Sequence, residues 1–365
     1  MIGRAVHEDD GACFGWLRDL ELPRHYGDPA AEYQAAVEGV GVRDRSHRTR
    51  LLITGRQPGE MLSGVVSGRI PGALEEIESG VASGIAEPQA VLTAKGRMVT
   101  DLRLWSAGLD TGDLFAEVPA AGAAPVREHL ARLLPPRLAR LEDVSSSTAM
   151  LAVLGPQAPA LLSRLALGLR VDAEVLEAMS EGELRRLDVG DGSGVWVLRS
   201  ADVAVPAWDL IADSDAVRTL WSLFRAEGAA AVGSGVWEAL RLEAGRPAFG
   251  SDMDQSTLLP ETGLEDRVVD VAKGCYTGQE VVVRIRDRGH VNRRLRRLRL
   301  ADLPTPARDT ELFSSSGEGP VGVVTSAAVS PRLGTLALAY LRREVEVPGE
   351  VRVGAADGPV AVVEG

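Results

Sequence analysis

Eight consecutive residues, Lys273-Gly274-Cys275-Tyr276-Thr277-Gly278-Gln279-Glu280, bring together more chemically unusual choices than any other window of this 365-residue chain. The chain has two cysteines, Cys13 and Cys275, and its 40 basic residues comprise two lysines, Lys95 and Lys273, and 38 arginines. One cysteine and one lysine fall in this window. Thr277 followed three residues later by Glu280 is a capping-box pattern, so a helix is expected to begin at Thr277. A thiol just ahead of a helix start and two residues from an ammonium is favoured as thiolate by both the dipole and the charge. Cys275 then reads as a reactive or ligating thiol, with Lys273 keeping it ionised. The alternative is a small buried apolar plug. The flanking glycines, which let a ligand or backbone approach closely, and the cation favour chemistry.

A second candidate is Asp101, a carboxylate set among Val99, Leu102, Leu104 and Trp105. In an apolar strand such a group is either a partnered structural charge or a working acid or base. Arginines concentrate between Arg284 and Arg299, where eight occur (Arg284, Arg286, Arg288, Arg293, Arg294, Arg296, Arg297 and Arg299) and only Asp287 opposes them. Their forks suit carboxylates and phosphates. A solvated helix face followed by the exposed side of a strand explains the run equally well. The five histidines show neither an HExxH nor a Cys/His zinc spacing, and no Walker, GxSxG or complete dinucleotide-binding glycine pattern is present. No metal site is expected.

The elements that must position these groups follow from period and punctuation. Residues 1–25 read as an irregular lead-in. Asp28 caps a helix with Pro29 at its first position. Leu51 to Thr54 is a strand, and Val91 to Trp105 is a hairpin about the turn Thr93-Ala94-Lys95-Gly96-Arg97, with Asp101 just beyond it. Val126 to Leu134 is a helix stopped by Pro135-Pro136. A further helix is expected from Gly155-Pro156 through Leu167, then strands near 184–188, 195–199 and 208–212 and helices over 217–226 and 236–244. Strands and helices without regular βαβ alternation indicate α+β. After Gly289 short β runs at 295–300, 321–325, 335–341, 351–353 and 360–363 suggest a small antiparallel barrel or sandwich, with a boundary near residue 290.

A charge of −12 with 45% hydrophobic residues describes a folded, soluble chain that is not a general nucleic-acid binder. Two cysteines, an acidic first decapeptide and no membrane-length apolar run fit a reducing cytoplasm and no membrane partner.

The motif window resembles the KGCYxGQE signature of the YgfZ family of folate-binding proteins, relatives of the glycine-cleavage T-protein that serve iron–sulfur enzymes. Residues 38–47 (EGVGVRDRSH), 240–252 (LRLEAGRPAFGSD), 259–264 (LPETGL) and 319–331 (GPVGVVTSAAVSP) resemble further family segments. The resemblance implies a three-domain cloverleaf around a tetrahydrofolate pocket. Its expected limits are residues 1–50 with 145–245, residues 51–144 with 246–289 carrying the motif, and a barrel over 290–365. Folate and iron–sulfur client enzymes are the implied partners, with assembly or repair of clusters through Cys275 as the main reading. Asp209 and Glu243 are expected at the pterin edge, Arg241 at the glutamate tail, Trp208 against the ring, and Tyr276 and Gln279 as further contacts. The T-protein branch carries paired aspartates where this chain has Thr100-Asp101, which argues against efficient aminomethyl transfer. A folate-dependent transferase or demethylase using Asp101 is the alternative.

Overall fold

The computed structural model describes residues 2–109, 111–164, 171–188, 194–301, 303–314 and 319–364. Its strands form an eight-stranded sheet, a five-stranded sheet, a closed six-stranded barrel and an N-terminal two-stranded hairpin. The chain is therefore α+β with a C-terminal antiparallel barrel, as expected.

Across the eight-stranded sheet the order is Ala230–Ala231, Gly41–Asp44, Thr148–Leu154, Ala207–Asp213, Gly194–Ser200, Glu183–Asp188, Val81–Ile85 and Glu75–Glu78. The pairing of Ala230–Ala231 with Gly41–Asp44 is parallel, and every other pairing in the sheet is antiparallel. The five-stranded sheet runs Arg140–Asp143, Thr49–Thr54, Leu114–Val118, Met98–Ser106 and Glu87–Leu92. The chain thus leaves the first sheet after Asp44 and returns at Thr148. Within that excursion, Glu75–Glu78 and Val81–Ile85 pair onto the edge of the eight-stranded sheet, so that hairpin sits apart from its neighbours in 51–144.

Apolar side chains close one side of the contact between the sheets. Trp105 and Phe115 of the smaller sheet pack with Trp196, Leu198 and Ile211 of the larger, with ring centroids 4.9 Å apart for Trp105–Phe115 and 6.0 Å for Trp105–Trp196. Edge-to-face and tilted aromatic pairs of this kind add to the burial of their area.

Local signals explain several elements. Asp28 Oδ1 accepts from Ala30 N at 2.9 Å and Ala31 N at 3.2 Å, and the helix Pro29–Glu38 follows with proline at its start. The strands Glu87–Leu92 and Met98–Ser106 flank the expected turn, where Gly96 takes φ 70°. The helix read through Leu167 is described over Ala158–Arg164, and Leu167 lies outside the described residues. In the barrel, Arg293–Arg299, Pro320–Ser330, Gly334–Arg342, Gly349–Val353 and Val360–Glu364 match the expected runs, and the three-residue strand Glu311–Phe313 was too short to read.

Residues 1–25 correct the expectation of an irregular lead-in. They form the helix Arg4–Asp9 and the paired strands Cys13–Leu17 and Leu20–His25. The period is hidden because the hairpin exposes Trp16 and contains Pro23, while the helix is held by one buried polar group. His7 is fully buried, with Nε2 3.0 Å from Asp44 Oδ2 and Nδ1 2.8 Å from the Tyr26 hydroxyl.

Candidate functional site

Where the two sheets meet on their polar side, a cavity of about 290 Å³ opens beside Asp101. Its walls include Arg48, Gln89, Asp101, Arg103, Glu181, Arg199, Asp202, Arg246 and Arg267, with Pro88, Pro247, Leu264 and Val268 as apolar lining. The volume lies at the lower end of small-molecule pockets.

One wall is an alternating ladder of buried charges. Arg48 contacts Glu117, Glu117 accepts from Arg103 Nε at 2.9 Å, and Arg103 Nη2 reaches Asp209 at 2.7 Å. Asp209 also accepts from Arg45 Nη1 at 2.8 Å, and Arg45 Nη2 donates to Asp202 at 2.8 Å. Three guanidiniums thereby alternate with three carboxylates, and the ladder bridges both sheets. Burial lowers Arg48 to about 9, assisted by the like charge of Arg45. Burial alone would raise Asp202, yet Arg45, Arg103 and Arg48 together hold it well below the usual carboxylate range.

Asp101 stands apart from this compensation. Its Oδ1 is buried and has no hydrogen-bond partner among the described residues. Burial raises its pKa, with Arg48 opposing the shift and Asp202 adding to it. A cavity-facing acid whose proton is held more tightly than usual is suited to general acid–base work. The neighbouring Thr100 cannot share that role. Successive strand residues face opposite sides, and Thr100 is fully buried against Gly122 of the helix Ala120–Leu133, where a Cβ would lie 2.0 Å from the Thr100 hydroxyl.

The eight-residue motif takes a different form from the one its sequence suggests. The helix is Gln279–Arg288 rather than one starting at Thr277, and Gly278 precedes it in the left-handed region at φ 83° with no side-chain cap. The Thr277 backbone N–H and hydroxyl both donate to Gly64 O, at 3.0 and 3.2 Å, so the threonine ties two loops together instead of capping. Lys273 Nζ donates to Val66 O at 2.6 Å and Gly68 O at 2.7 Å, and its ring contact is Tyr276 at 5.5 Å. Burial lowers this ammonium to about 8. Cys275 itself is exposed, which removes the apolar-plug alternative. Through Gly68, whose N–H donates to Gln89 Oε1 at 2.7 Å, the Lys273 anchor abuts the wall of the Asp101 cavity.

The expected folate contacts lie elsewhere, and each has a physical reason. Asp209 is fully buried in the ladder, its oxygens taken by Arg45 and Arg103. Glu243 accepts from the Tyr33 hydroxyl at 2.5 Å, from Ser330 Oγ at 2.5 Å and from Arg332, which fixes the helix Ser234–Glu243 to the barrel. Arg241 is buried between Glu238 and Asp252, at 2.6 and 2.7 Å. Tyr276 packs in the apolar cluster with Leu92, Met98 and Val282, and Gln279 Oε1 accepts from Tyr276 N at 3.4 Å. Trp208 is core, although the cavity residue Arg199 stacks on its ring at 4.5 Å. None of these six lines the cavity. Part of the arginine run is structural: Arg293 reaches Glu261 at 3.1 Å, and Arg297 and Arg299 share Glu364 at 2.6 and 3.1 Å.

Sequence reasoning missed Arg48, Arg199, Asp202, Arg246 and Arg267. Arg48 directly follows the segment ending at His47, Arg246 lies within 240–252 and Arg267 just after 259–264. The segments that carry the resemblance therefore bracket three of the five.

Fold and site together define a three-lobed α+β protein with one buried carboxylate oxygen, Asp101 Oδ1, unpartnered in a guanidinium-rich cavity. A family profile described as the GCVT N-terminal domain matches residues 4–273, and the chain belongs to that family. It is 28% identical to an aminomethyltransferase of Thermosynechococcus vestitus over 91% of this chain and 84% of that protein. An aminomethyltransferase of Synechococcus sp. (strain WH7803) is 30% identical over 90% of this chain and 85% of its own length. The crystal structure of glycine cleavage system aminomethyltransferase T from Bartonella henselae superposes with a TM-score of 0.83 at 20% identity, covering 100% of this chain and 96% of that one, and shows the same fold. No described helix is long and apolar enough to cross a membrane.

Proposed function

We propose that the chain takes a tetrahydrofolate into the Asp101 cavity and carries out folate-dependent one-carbon chemistry there on an amine substrate. The observation that carries this reading is Asp101 Oδ1, buried and without a hydrogen-bond partner among the described residues, in a cavity ringed by arginines. A buried polar oxygen without a partner fits a ligand N–H, such as the amidine-like edge of a pterin or the substrate amine. Family membership and the aminomethyltransferase relatives support it further. Bound folate supplies the nitrogen that receives or releases the one-carbon unit. The chain's own residues do the rest. Asp101 holds or moves a proton at Oδ1, Arg199 and Arg246 offer forks for anionic groups, and Pro88, Pro247, Leu264 and Val268 keep water from the ring faces. Asp209 and Trp208 act from behind the wall, holding Arg103 and Arg199 in place.

The test is calorimetric titration with tetrahydrofolate, paired with an assay of methylenetetrahydrofolate formation from an aminomethylated lipoyl carrier. Asp101→Asn is expected to bind folate but to lose about 10²–10⁴-fold in turnover. Absence of folate binding, or full turnover in Asp101→Asn, refutes the reading.

One observation favours a second reading, in which a thiol assists assembly or repair of iron–sulfur clusters in client enzymes, as the YgfZ resemblance implies. Cys275 is exposed at the tip of a loop whose two flanks are fastened by Lys273 and Thr277. If this reading holds, Cys275→Ala fails to restore iron–sulfur enzyme activity in a deletion strain while Asp101→Asn succeeds. The opposite pattern leaves the one-carbon reading alone.

A further inference from the structure

A second cleft, about 620 Å³ in volume, opens between the N-terminal hairpin, the start of the helix Ser234–Glu243 and the barrel strand Pro320–Ser330. It shares no lining residue with the Asp101 cavity. Three arginines reach it: Arg18 from the turn of the hairpin, Arg24 from the second hairpin strand and Arg308 from the approach to the barrel strand Glu311–Phe313.

The arrangement of Arg18 and Arg308 differs from other arginine pairs in this protein. Arg45 and Arg103 share Asp209, Arg48 and Arg103 share Glu117, Arg246 and Arg267 share Glu181, and Arg297 and Arg299 share Glu364. In the cleft, Arg18 Nη2 donates to Ser251 O at 3.3 Å and Thr325 O at 3.2 Å, and Arg308 Nη1 donates to the same two carbonyls. Two guanidiniums are thus brought together by neutral oxygens, with donors left over on both. Burial lowers the pKa of Arg18, and the like charge of Arg308 lowers it further. Arg18 also adopts φ 59°, an unfavourable backbone for a non-glycine residue and one retained where the surroundings or a function demand it.

Asp252, Glu238 and Asp309 act on Arg18 from nearby, but none of them is shared between the two arginines; Asp252 is taken by Arg241, Thr325 and Ser326. Glu238 lines the cleft, but both its oxygens are bound by Arg241. Asp309 reaches Arg308 Nε at 3.7 Å and is 77% exposed. Arg24 has no side-chain partner among the described residues. Its backbone carbonyl lies against Gly233, where an added Cβ would meet Arg24 O at 2.1 Å, so glycine lets the hairpin seat directly on the helix start. The N-cap residue Gly233 donates its N–H to Glu32 Oε2 at 2.9 Å, and Ser234 and Gly235 of the first turn line the cleft.

We propose that this cleft binds a phosphate-bearing small molecule, with Arg18 and Arg308 gripping phosphoryl oxygens and Arg24 closing over them. Guanidinium forks match the oxygens of a tetrahedral dianion. A bound phosphoryl group supplies, to the donors left over, the anionic partner that a shared carboxylate supplies to the other arginine pairs.

Pyrophosphate is the probe, titrated calorimetrically into the full chain. Saturable binding is expected, weakened about tenfold or more in Arg308→Gln and in Arg24→Gln, since hydrogen bonds to charged groups are each worth about 1.5–3 kcal/mol. Arg24→Gln removes no side-chain hydrogen bond or ion pair among the described residues and keeps the Cβ and Cγ methylenes that lie against Gly15, so its melting temperature without ligand is expected to stay unchanged, which separates lost binding from lost folding. Arg267→Gln, in the Asp101 cavity, is expected to leave pyrophosphate affinity intact. The proposal is overturned by absence of saturable binding at millimolar pyrophosphate, by unchanged affinity in both cleft variants, by loss of affinity in Arg267→Gln instead, or by tighter binding of tri-γ-glutamate than of pyrophosphate.

Discussion

Replacing Asp209 by Asn tests whether the charge ladder holds the two sheets together. Asp209 is fully buried and takes Arg45 Nη1 on both oxygens, at 2.8 and 2.9 Å, as well as Arg103 Nη2 at 2.7 Å. The amide keeps the shape but removes the only charge between two guanidiniums. Removing one partner of a buried ion pair costs about 3–5 kcal/mol, because the remaining charge is left uncompensated. Here Arg45 retains Asp202 and Arg103 retains Glu117, so the lower end, about 3 kcal/mol, is expected. At about 2–4 °C per kcal/mol for units of 150–250 residues, the melting temperature falls by roughly 6–12 °C. Urea unfolding and scanning calorimetry read this directly. A double-mutant cycle with Arg45→Met adds a second check, since residues in one ion network couple by about 0.5–3 kcal/mol. A loss below about 1 kcal/mol with additive single effects would show that the ladder is effectively solvated, and the reasoning would fail.

Three further outcomes are expected. Burial raises Asp101, so its contribution is fully present below the ordinary aspartate pKa of about 3.9 and is lost as pH rises through the higher folded value; Asp101→Asn should therefore gain stability relative to the native chain between pH 4 and pH 7 in urea titrations, and an unchanged difference counts against the buried, unpaired carboxyl. For Asp44, burial alone would raise the pKa, but His7 and Ser46 pull it well below the usual range. Its stabilisation is then present above about pH 3.9 and lost as pH falls further, and His7→Phe should shift acid unfolding to higher pH, a result that an identical acid midpoint would exclude. Gly122→Ala places a methyl 2.0 Å from the Thr100 hydroxyl and should cost about 1–3 kcal/mol by overpacking, with Thr100→Gly in the same chain restoring much of the loss; a neutral Gly122→Ala in urea unfolding refutes that contact.

What was legible in the sequence is what depends on neighbours along the chain. The Asp28 cap, the turn at Thr93 to Arg97 and the alternating barrel strands each need only a few adjacent residues, and each appears as read. The start of the motif helix failed for a local reason with a distant cause. Gly278 must lie against Thr93 O, where an added Cβ would approach to 2.5 Å, and that contact fixes its left-handed backbone and moves the helix start to Gln279. The ladder was out of reach altogether, since Arg45 meets Asp209 across 164 residues. Asp209, Glu243 and Arg241 were read as ligand contacts because a folate needs an anionic group at its pterin edge and a cation at its glutamate tail. Their burial is why the protein pairs them internally: an isolated ion there would be too costly. Asp101 looked no different in sequence, and only the fold shows which carboxyl was left unpaired.

The motif itself separates into fastening and presentation. Lys273 clamps the carbonyls of Val66 and Gly68, Tyr276 is buried in the core, Thr277 binds Gly64, Gly278 fits against Thr93 and Gln279 returns to the Tyr276 N–H. Gly274, Cys275 and Glu280 are exposed. Five of the eight side chains or backbones thus define one loop shape, and a lysine is needed at its base because a compact ammonium with several rotatable donors can bind two carbonyls at once. A loop fixed this firmly holds the thiol at one place on the surface, next to the wall that Gln89 shares with the Asp101 cavity. The same fastening seats Gly278 on the turn that leads into the Asp101 strand. The two sites can be separated by mutation at their exposed and buried ends: variants of Cys275 should leave the cavity's ligand binding intact, and variants of Asp101 should leave the loop in place.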